Sequence, residues 1–188
     1  MAAAELLERA RAWMRGARAA DSVPLAVPPT LAPDQDDGDD MRALAIRIAA
    51  ELCRRFEGLY LRPYLCPAGI PSIGYGSTRY LDGTPVRLTD PAISRQMAER
   101  MLLQSIITIY LPAVLRLCPG IDSPRRLAAI IDWVYNLGAG QLASSTLRRR
   151  INAGRWDDVP AQIRRWNRGG GRVLRGLVLR RDAEAALI

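Results

Sequence analysis

Residues 55–78 read RFEGLYLRPYLCPAGIPSIGYGST, and a change of pattern inside this stretch decides the fold. Upstream, Leu44, Ile46, Ile48, Leu52 and Phe56 recur at helical spacing, which predicts a helix from about Met41 that ends near Gly58 and Leu59. From Tyr64 to Val86 the pattern differs: Gly69, Gly74, Gly76 and Gly83 alternate with Ile70, Ile73, Tyr75, Tyr80 and Val86. That is the signature of short strands joined by glycine turns, hence of a small sheet. Beyond Thr89-Asp90-Pro91, a good helix start, apolar periodicity predicts helices over about 91–116, 123–137, 143–152, 156–166 and 176–186. One helix, a small antiparallel sheet and then many helices make an α+β arrangement.

Ahead of this domain, Leu6, Leu7, Ala10, Trp13, Met14 and Ala17 fall at helical spacing, with Arg9, Arg11, Arg15 and Arg18 in the other positions. The pattern predicts a basic amphipathic helix over residues 1–21, able to lie on an anionic membrane or to dock on its own protein. Residues 22–42 combine four prolines with Asp34, Asp36, Asp37, Asp39 and Asp40, the composition of a semi-extended charged linker. The compact domain is expected over residues 43–188.

Composition excludes much chemistry. The chain of 188 residues has no His, and all 27 of its basic residues are Arg. Without His there is no Ser-His-Asp or Cys-His relay and no His-ligated zinc; without Lys there is no Walker A loop and no Schiff base. Carboxylate, hydroxyl and thiol chemistry survive. Cys53, Cys66 and Cys118 are too few and too unevenly spaced for a disulfide framework or a paired-cysteine metal site, so no metal or other cofactor is expected. Glu5 and Glu8 stand where a secretory signal would be basic, and the longest uncharged run, residues 101–115, falls short of a membrane span. A net charge of +8 implies attraction to polyanions. From Gln141 onward eleven Arg face four acids, so a basic face belongs to the C-terminal quarter. No basic helix with base-reading polar residues stands out, and nucleic acid is not an expected partner.

Within residues 55–78 the chemically telling residue is Glu57, one acid at the end of an amphipathic helix, preceded by Phe56 and followed at once by the sheet. A carboxyl beside apolar neighbours is partly desolvated, which disfavours its charged form and suits it to general-acid work. Taken alone, the same residue also reads as an ordinary surface Glu.

The spacing around it closely resembles the active-site segment of phage-type lysozymes, glycoside hydrolase family 24. Their pattern is Glu-Gly, eight residues to an Asp or Cys, five more to a Thr, then Ile-Gly-x-Gly-His. Here eight residues separate Glu57 from Cys66, five separate Cys66 from Ser72, and Ile73-Gly74-Tyr75-Gly76 follows. The resemblance continues through WVYNLG at 133–138, STL at 145–147, INAG at 151–154, Trp166, and GGGRVLRGLVLRR at 169–181 with Glu184. It implies a lysozyme-like α+β fold, with a small sheet lobe and a larger helical lobe. It also implies hydrolysis of the β-1,4 bond between N-acetylmuramic acid and N-acetylglucosamine in bacterial peptidoglycan, and so host cell lysis.

By position in the motif, Glu57 corresponds to the acid that protonates the leaving oxygen, and Cys66 and Ser72 to the groups that place or activate water on the opposite sugar face. Cys66 stands where most relatives have Asp, and Ser72 where most have Thr; Ser77 replaces a His that is mainly structural in the family. A neutral thiol stabilises an adjacent cation less than a carboxylate does, and Ser lacks the methyl that fixes the Thr rotamer. The plainer reading of Cys66 is a small buried side chain. Tyr135, Asn136 and Trp166 resemble residues that line the saccharide cleft, and Arg180 or Arg181 resembles the Arg that pairs with the acid. Cys53, one turn before Glu57, should approach the site, and a Cys53–Cys66 disulfide is one further possibility.

The resemblance leaves two alternatives open: a lytic transglycosylase using Glu57 alone, and an inactive cell-wall-binding protein. A holin partner, residence in the host cytoplasm until lysis, action on murein in the periplasm and a monomeric state are likewise what the resemblance implies.

Overall fold

The computed structural model describes residues 37–66 and 68–188. The expected basic helix and most of the expected linker lie outside the described residues.

Helix α1 spans Asp37–Glu57, so its first turns occupy what the sequence suggested was the end of the linker. Asp40 there places negative charge near the positive end of the helix dipole, which favours the earlier start. Ala45, Ala49, Leu52 and Cys53 form its buried face, the i, i+4, i+7, i+8 stripe of a helix with one side in a core. The helix ends at Glu57, and strand β1, Tyr60–Leu65, begins three residues later.

Strand β1 pairs antiparallel with β2, Pro71–Gly74, in the register Tyr60↔Gly74, Tyr64↔Ser72 and Leu65↔Pro71, with an irregularity between Tyr60 and Tyr64. Pro63, which has no N–H to give, sits inside that irregular stretch. After β2 the main chain doubles back at once: Ile73 and Ser77 exchange N–H···O bonds of 2.9 Å each way. Gly74 and Gly76 take φ of +66° and +95°, a left-handed conformation that favours glycine. This explains the Ile-Gly-x-Gly spacing as turn chemistry. Ile73, Val86 and Met101 make a small core under the sheet.

Helix α2, Arg95–Ser105, is capped by Ser94, whose Oγ accepts from the Met97 N–H. It runs on through a widened turn at Ile106–Tyr110 into α3, Leu111–Leu117. Pro112 accounts for the widening: it offers no N–H to the Thr108 carbonyl, and its ring would crowd that oxygen in a regular helix. The whole rod, Arg95–Leu117, is 23 residues long and apolar enough by length and composition to cross a membrane, beyond what the uncharged run alone suggested. In this fold Ala98, Leu102, Ile106, Leu111 and Val114 pack into the main core.

That core is organised on α4, Pro124–Leu137, in which every residue from Leu127 to Val134 is buried. Ser123 caps its start and Pro124 takes the first position, where a missing N–H costs nothing. The remaining elements are α5 (Ala139–Ser144), α6 (Thr146–Asn152), a 3-10 turn (Trp156–Asp158), α7 (Val159–Arg164), and α8 (Arg175–Ala185). The single helix expected over 143–152 is split because Ser145 is extended, with ψ 155°, and turns its hydroxyl to cap α6. A two-strand hairpin, β3 (Arg168–Gly169) and β4 (Arg172–Val173), precedes α8. The result is a small sheet lobe beside a larger helical lobe, joined by α1 and α2.

Candidate active site

Three elements distant in sequence converge at the end of α1. Glu57 closes that helix with its side chain 12% exposed, and Arg180 from α8 reaches it through Nη1 at 2.5 Å. The other donors of Arg180 are committed elsewhere: Nε and Nη2 form a fork on Asp132 of α4, at 2.9 Å to Oδ2 and 2.8 Å to Oδ1. The Arg180 side chain is 3% exposed and that of Asp132 fully buried. Cys53, one turn before Glu57, gives its thiol hydrogen to Asp132 Oδ1 at 3.3 Å, and Arg180 also lies over the Phe56 ring, 5.7 Å from its centre.

The electrostatics follow from this geometry. Burial alone would push the Asp132 carboxyl up, but the Arg180 charge and its hydrogen bonds outweigh it and hold Asp132 below the usual range. Burial would likewise disfavour the Arg180 cation, and the charges of Asp132 and Glu57 overcome it. Burial, then the neighbouring Asp132 charge, pushes the Cys53 thiol well up, so it is a neutral donor. Arg181 turns away from Glu57 onto Glu184, both fully buried. Glu184 Oε1 also lies 3.7 Å from Arg180 Nε. Burial first and Asp132 next raise the Glu184 carboxyl well above the ordinary value.

The sheet supplies the opposite wall. Residues directly opposite on antiparallel strands share a face, so the register sets Tyr64 and Ser72 side by side. Ser72 is buried, and its hydroxyl donates to the Ile70 carbonyl at 3.2 Å. Tyr64 feels the charges of both Glu57 and Cys66; with burial as the main cause, its phenol is pushed far up. Cys66 is half-buried and is placed by main-chain bonds: its N–H donates to Ile70 O at 3.0 Å and its carbonyl accepts from Gly69 N–H at 2.8 Å. Tyr64 thus links the three positions: it feels the charges of Glu57 and Cys66 and stands opposite Ser72 in the strand register.

Alongside runs a cleft of about 280 Å³ between the turn after β2 and the widened turn of the long helix, lined among others by Gly76, Thr78, Tyr80, Thr108, Tyr110 and Tyr135. Tyr135 donates to the Tyr75 carbonyl at 2.7 Å and packs on Tyr110 with ring centres 4.7 Å apart. A family model for phage lysozyme matches residues 54–184, a span that contains this whole arrangement.

The chain belongs to the phage lysozyme family. It is 32% identical over 142 residues to an endolysin of Acyrthosiphon pisum secondary endosymbiont phage 1, a match covering 72% of this chain and 91% of that relative. It is 33% identical over 141 residues to the endolysin of Bacillus phage B103, where it spans about half of the relative's length. Among solved structures, the endolysin from Escherichia coli O157:H7 phage FAHEc1 superposes with a TM-score of 0.66 at 32% identity, covering 75% of this chain and 90% of that one.

Within this phage lysozyme fold, Tyr135 lines the cleft, and Ser72 stands opposite Tyr64, which feels the charges of Glu57 and Cys66. Asn136 follows Tyr135 on α4, and its Oδ1 has no hydrogen-bond partner among the described residues. Trp166 sits apart, edge-on to Trp133 at 5.1 Å and lining a second hollow with Thr146, Leu147, Gln162 and Arg165. Of the two arginines, Arg180 is the one on Glu57. The three cysteines are free thiols. Sequence reasoning missed Asp132 altogether. The signal was present: a carboxylate in the apolar run LAAIIDWV must be buried, and a buried charge needs a partner.

Proposed function

We propose that this phage lysozyme is a lytic endolysin that hydrolyses the β-1,4 bond between N-acetylmuramic acid and N-acetylglucosamine of bacterial peptidoglycan. Glu57 is the general acid. Its proton passes to the bridging oxygen, the bond from that oxygen to the sugar C1 breaks, and the charge left on the sugar is oxocarbenium-like. A water held by Cys66 and Ser72 on the other face attacks C1 and gives its proton to solvent, from which Glu57 regains one. Because the Ser72 hydrogen is directed to Ile70 O, its lone pairs are left to accept from that water, which aims the water's own lone pair at the sugar. Tyr135 and Asn136 border the saccharide, with Asn136 Oδ1 an acceptor for its N–H or O–H groups. Trp166 contacts substrate further along.

The observation that most supports the reading is the Glu57 carboxyl, 12% exposed and held by Arg180 at the end of α1, with Cys66 and Ser72 following at the motif's spacing. A holin for release to the wall, action in the periplasm, contact of residues 1–21 with an anionic envelope and a monomeric state complete the reading. Its test is the digest of purified peptidoglycan: mass spectrometry should show reducing muramic ends, and Glu57→Gln should lower the rate by about 10³-fold, the scale of a lost general acid. Anhydro-muramic ends would instead make the protein a transglycosylase, and clearing that survives Glu57→Gln would remove the acid assignment.

A further inference from the structure

The rod Arg95–Leu117 is apolar enough to cross a membrane, yet only 28% of its apolar 18-residue stretch is buried in the fold. One side is fixed: Ala98, Leu102, Ile106, Leu111 and Val114 belong to the main core, so the rod cannot enter a bilayer end-on without unpacking that core. The other side faces out. There Arg100, Leu103, Gln104 and Ile107 follow at i, i+3, i+4 and i+7, and all but the half-buried Leu103 are exposed. The widened turn adds a residue that keeps this stripe in line, since Pro112 and Arg116 are exposed beyond it while Leu111 is buried. Ile107 and Ile109, at the middle, are 47% and 59% exposed. The charges are one-sided too. Arg95, Arg100 and Arg116 are exposed, whereas the rod's single acid, Glu99, accepts from Arg54 Nε at 2.9 Å and from Tyr75 OH at 2.7 Å. The neighbouring loop, whose Leu81 carbonyl accepts from Gln104 Nε2 at 3.0 Å, brings Asp82 and Arg79 and so no net charge.

We propose that this ridge, with Ile107 and Ile109 at its centre and Arg100 and Arg116 on either side, docks the protein flat on an anionic phospholipid bilayer. The isoleucines call for an apolar medium and the arginines, about 24 Å apart along the rod, for anions beside it; the headgroup and upper acyl region of an anionic bilayer offers both at once. A glycan strand presents no apolar layer for two isoleucines to enter. A second copy of the chain, paired by a two-fold axis on this ridge, would bring the two sets of arginines against each other. The inference is independent of the cleavage reading and concerns a surface other than residues 1–21.

The test is co-sedimentation of the full-length protein with vesicles of phosphatidylcholine alone and with vesicles of equal parts phosphatidylcholine and phosphatidylglycerol. Wild type should bind the anionic vesicles, bind the neutral ones far less, and come off as NaCl is raised. Ile107→Glu should weaken binding to the anionic vesicles by about tenfold, the scale of one apolar side chain withdrawn from lipid. Arg100→Gln combined with Arg116→Gln should weaken it by about 30-fold, which is about 1 kcal/mol for each cation lost from an anionic surface. All three positions are exposed, so melting temperatures should stay within about 2 °C of wild type; should Ile107→Glu unfold, the arginine pair decides. Equal binding to both kinds of vesicle, or none to either, overturns the inference. Binding that is unchanged in the variants also overturns it, because adsorption would then belong to another surface, residues 1–21 included. A dimer that Ile107→Glu abolishes, in a protein that ignores vesicles, would make the ridge an interface between copies and overturn it as well.

Discussion

On the helical side of the site, Glu57 is gripped by Arg180, Arg180 by both oxygens of Asp132, and Asp132 by Cys53 as well. On the sheet side, Ser72 is held by one bond to a carbonyl two residues away, and Cys66 by the main chain of its own turn. The first wall is a buried, charged and long-range construction, and the second is neutral and local. Side chains locked by charge in a low-dielectric setting tolerate little change. Side chains carried by a turn depend on the backbone, which survives substitution. The two positions where the motif departs from the pattern it resembles, Cys66 and Ser72, lie on the tolerant wall, and Glu57 lies on the other.

The largest effect expected is on stability. Arg180→Ala leaves Asp132 as an unpaired buried carboxylate, and urea denaturation should show a loss of about 3–5 kcal/mol; a loss under about 1 kcal/mol would mean the buried ion layer is not what fastens α8 to α4. Next come the two walls set against each other in activity. Glu57→Asp shortens the acid by one methylene and should cost about 10²-fold in kcat, as a misplacement near 1 Å does. Cys66→Asp should keep activity within about tenfold of wild type. Equal losses would erase the distinction between a rigid and a tolerant wall.

A third effect is the acid limit of stability. Asp132 has a folded-state value held below that of the unfolded chain, about 3.9. Its contribution is therefore fully present above about pH 3.9 and disappears as pH falls through the folded value. Melting curves at decreasing pH should show this loss in wild type and a flatter dependence in Asp132→Asn; parallel curves would contradict it. Smallest of all is Ser72→Thr, which restores a rotamer-fixing methyl and should change kcat/KM by no more than about threefold.

Much of this was legible in residue patterns. The helix ending at Glu57, the glycine turns at Gly74 and Gly76 and the start of α4 at Ser123-Pro124 follow from local alternation and motif spacing. Local rules also misled. The Asp cluster at 36–40 suggested linker because its composition is polar, yet Asp37 opens α1, where acidic side chains suit a helix start. The helix read as one piece over 143–152 is two, because Ser145 serves as a cap. Trp166 went to Trp133 and a separate hollow, a choice that depends on how α6 and α7 pack, not on either sequence.

By itself the sequence determined the helix that ends at Glu57, the glycine turns of the small sheet, the start of α4, and which chemistry the absence of His and Lys leaves open. The charge layer behind the acid was decided by the tertiary structure alone. Arg180 lies 123 residues from Glu57 and 48 from Asp132, and nothing in local spacing distinguishes it from Arg181 beside it. The direction each arginine faces on α8 selects its carboxylate. Burial then makes that choice binding, because with water excluded a charged group keeps the partner it has.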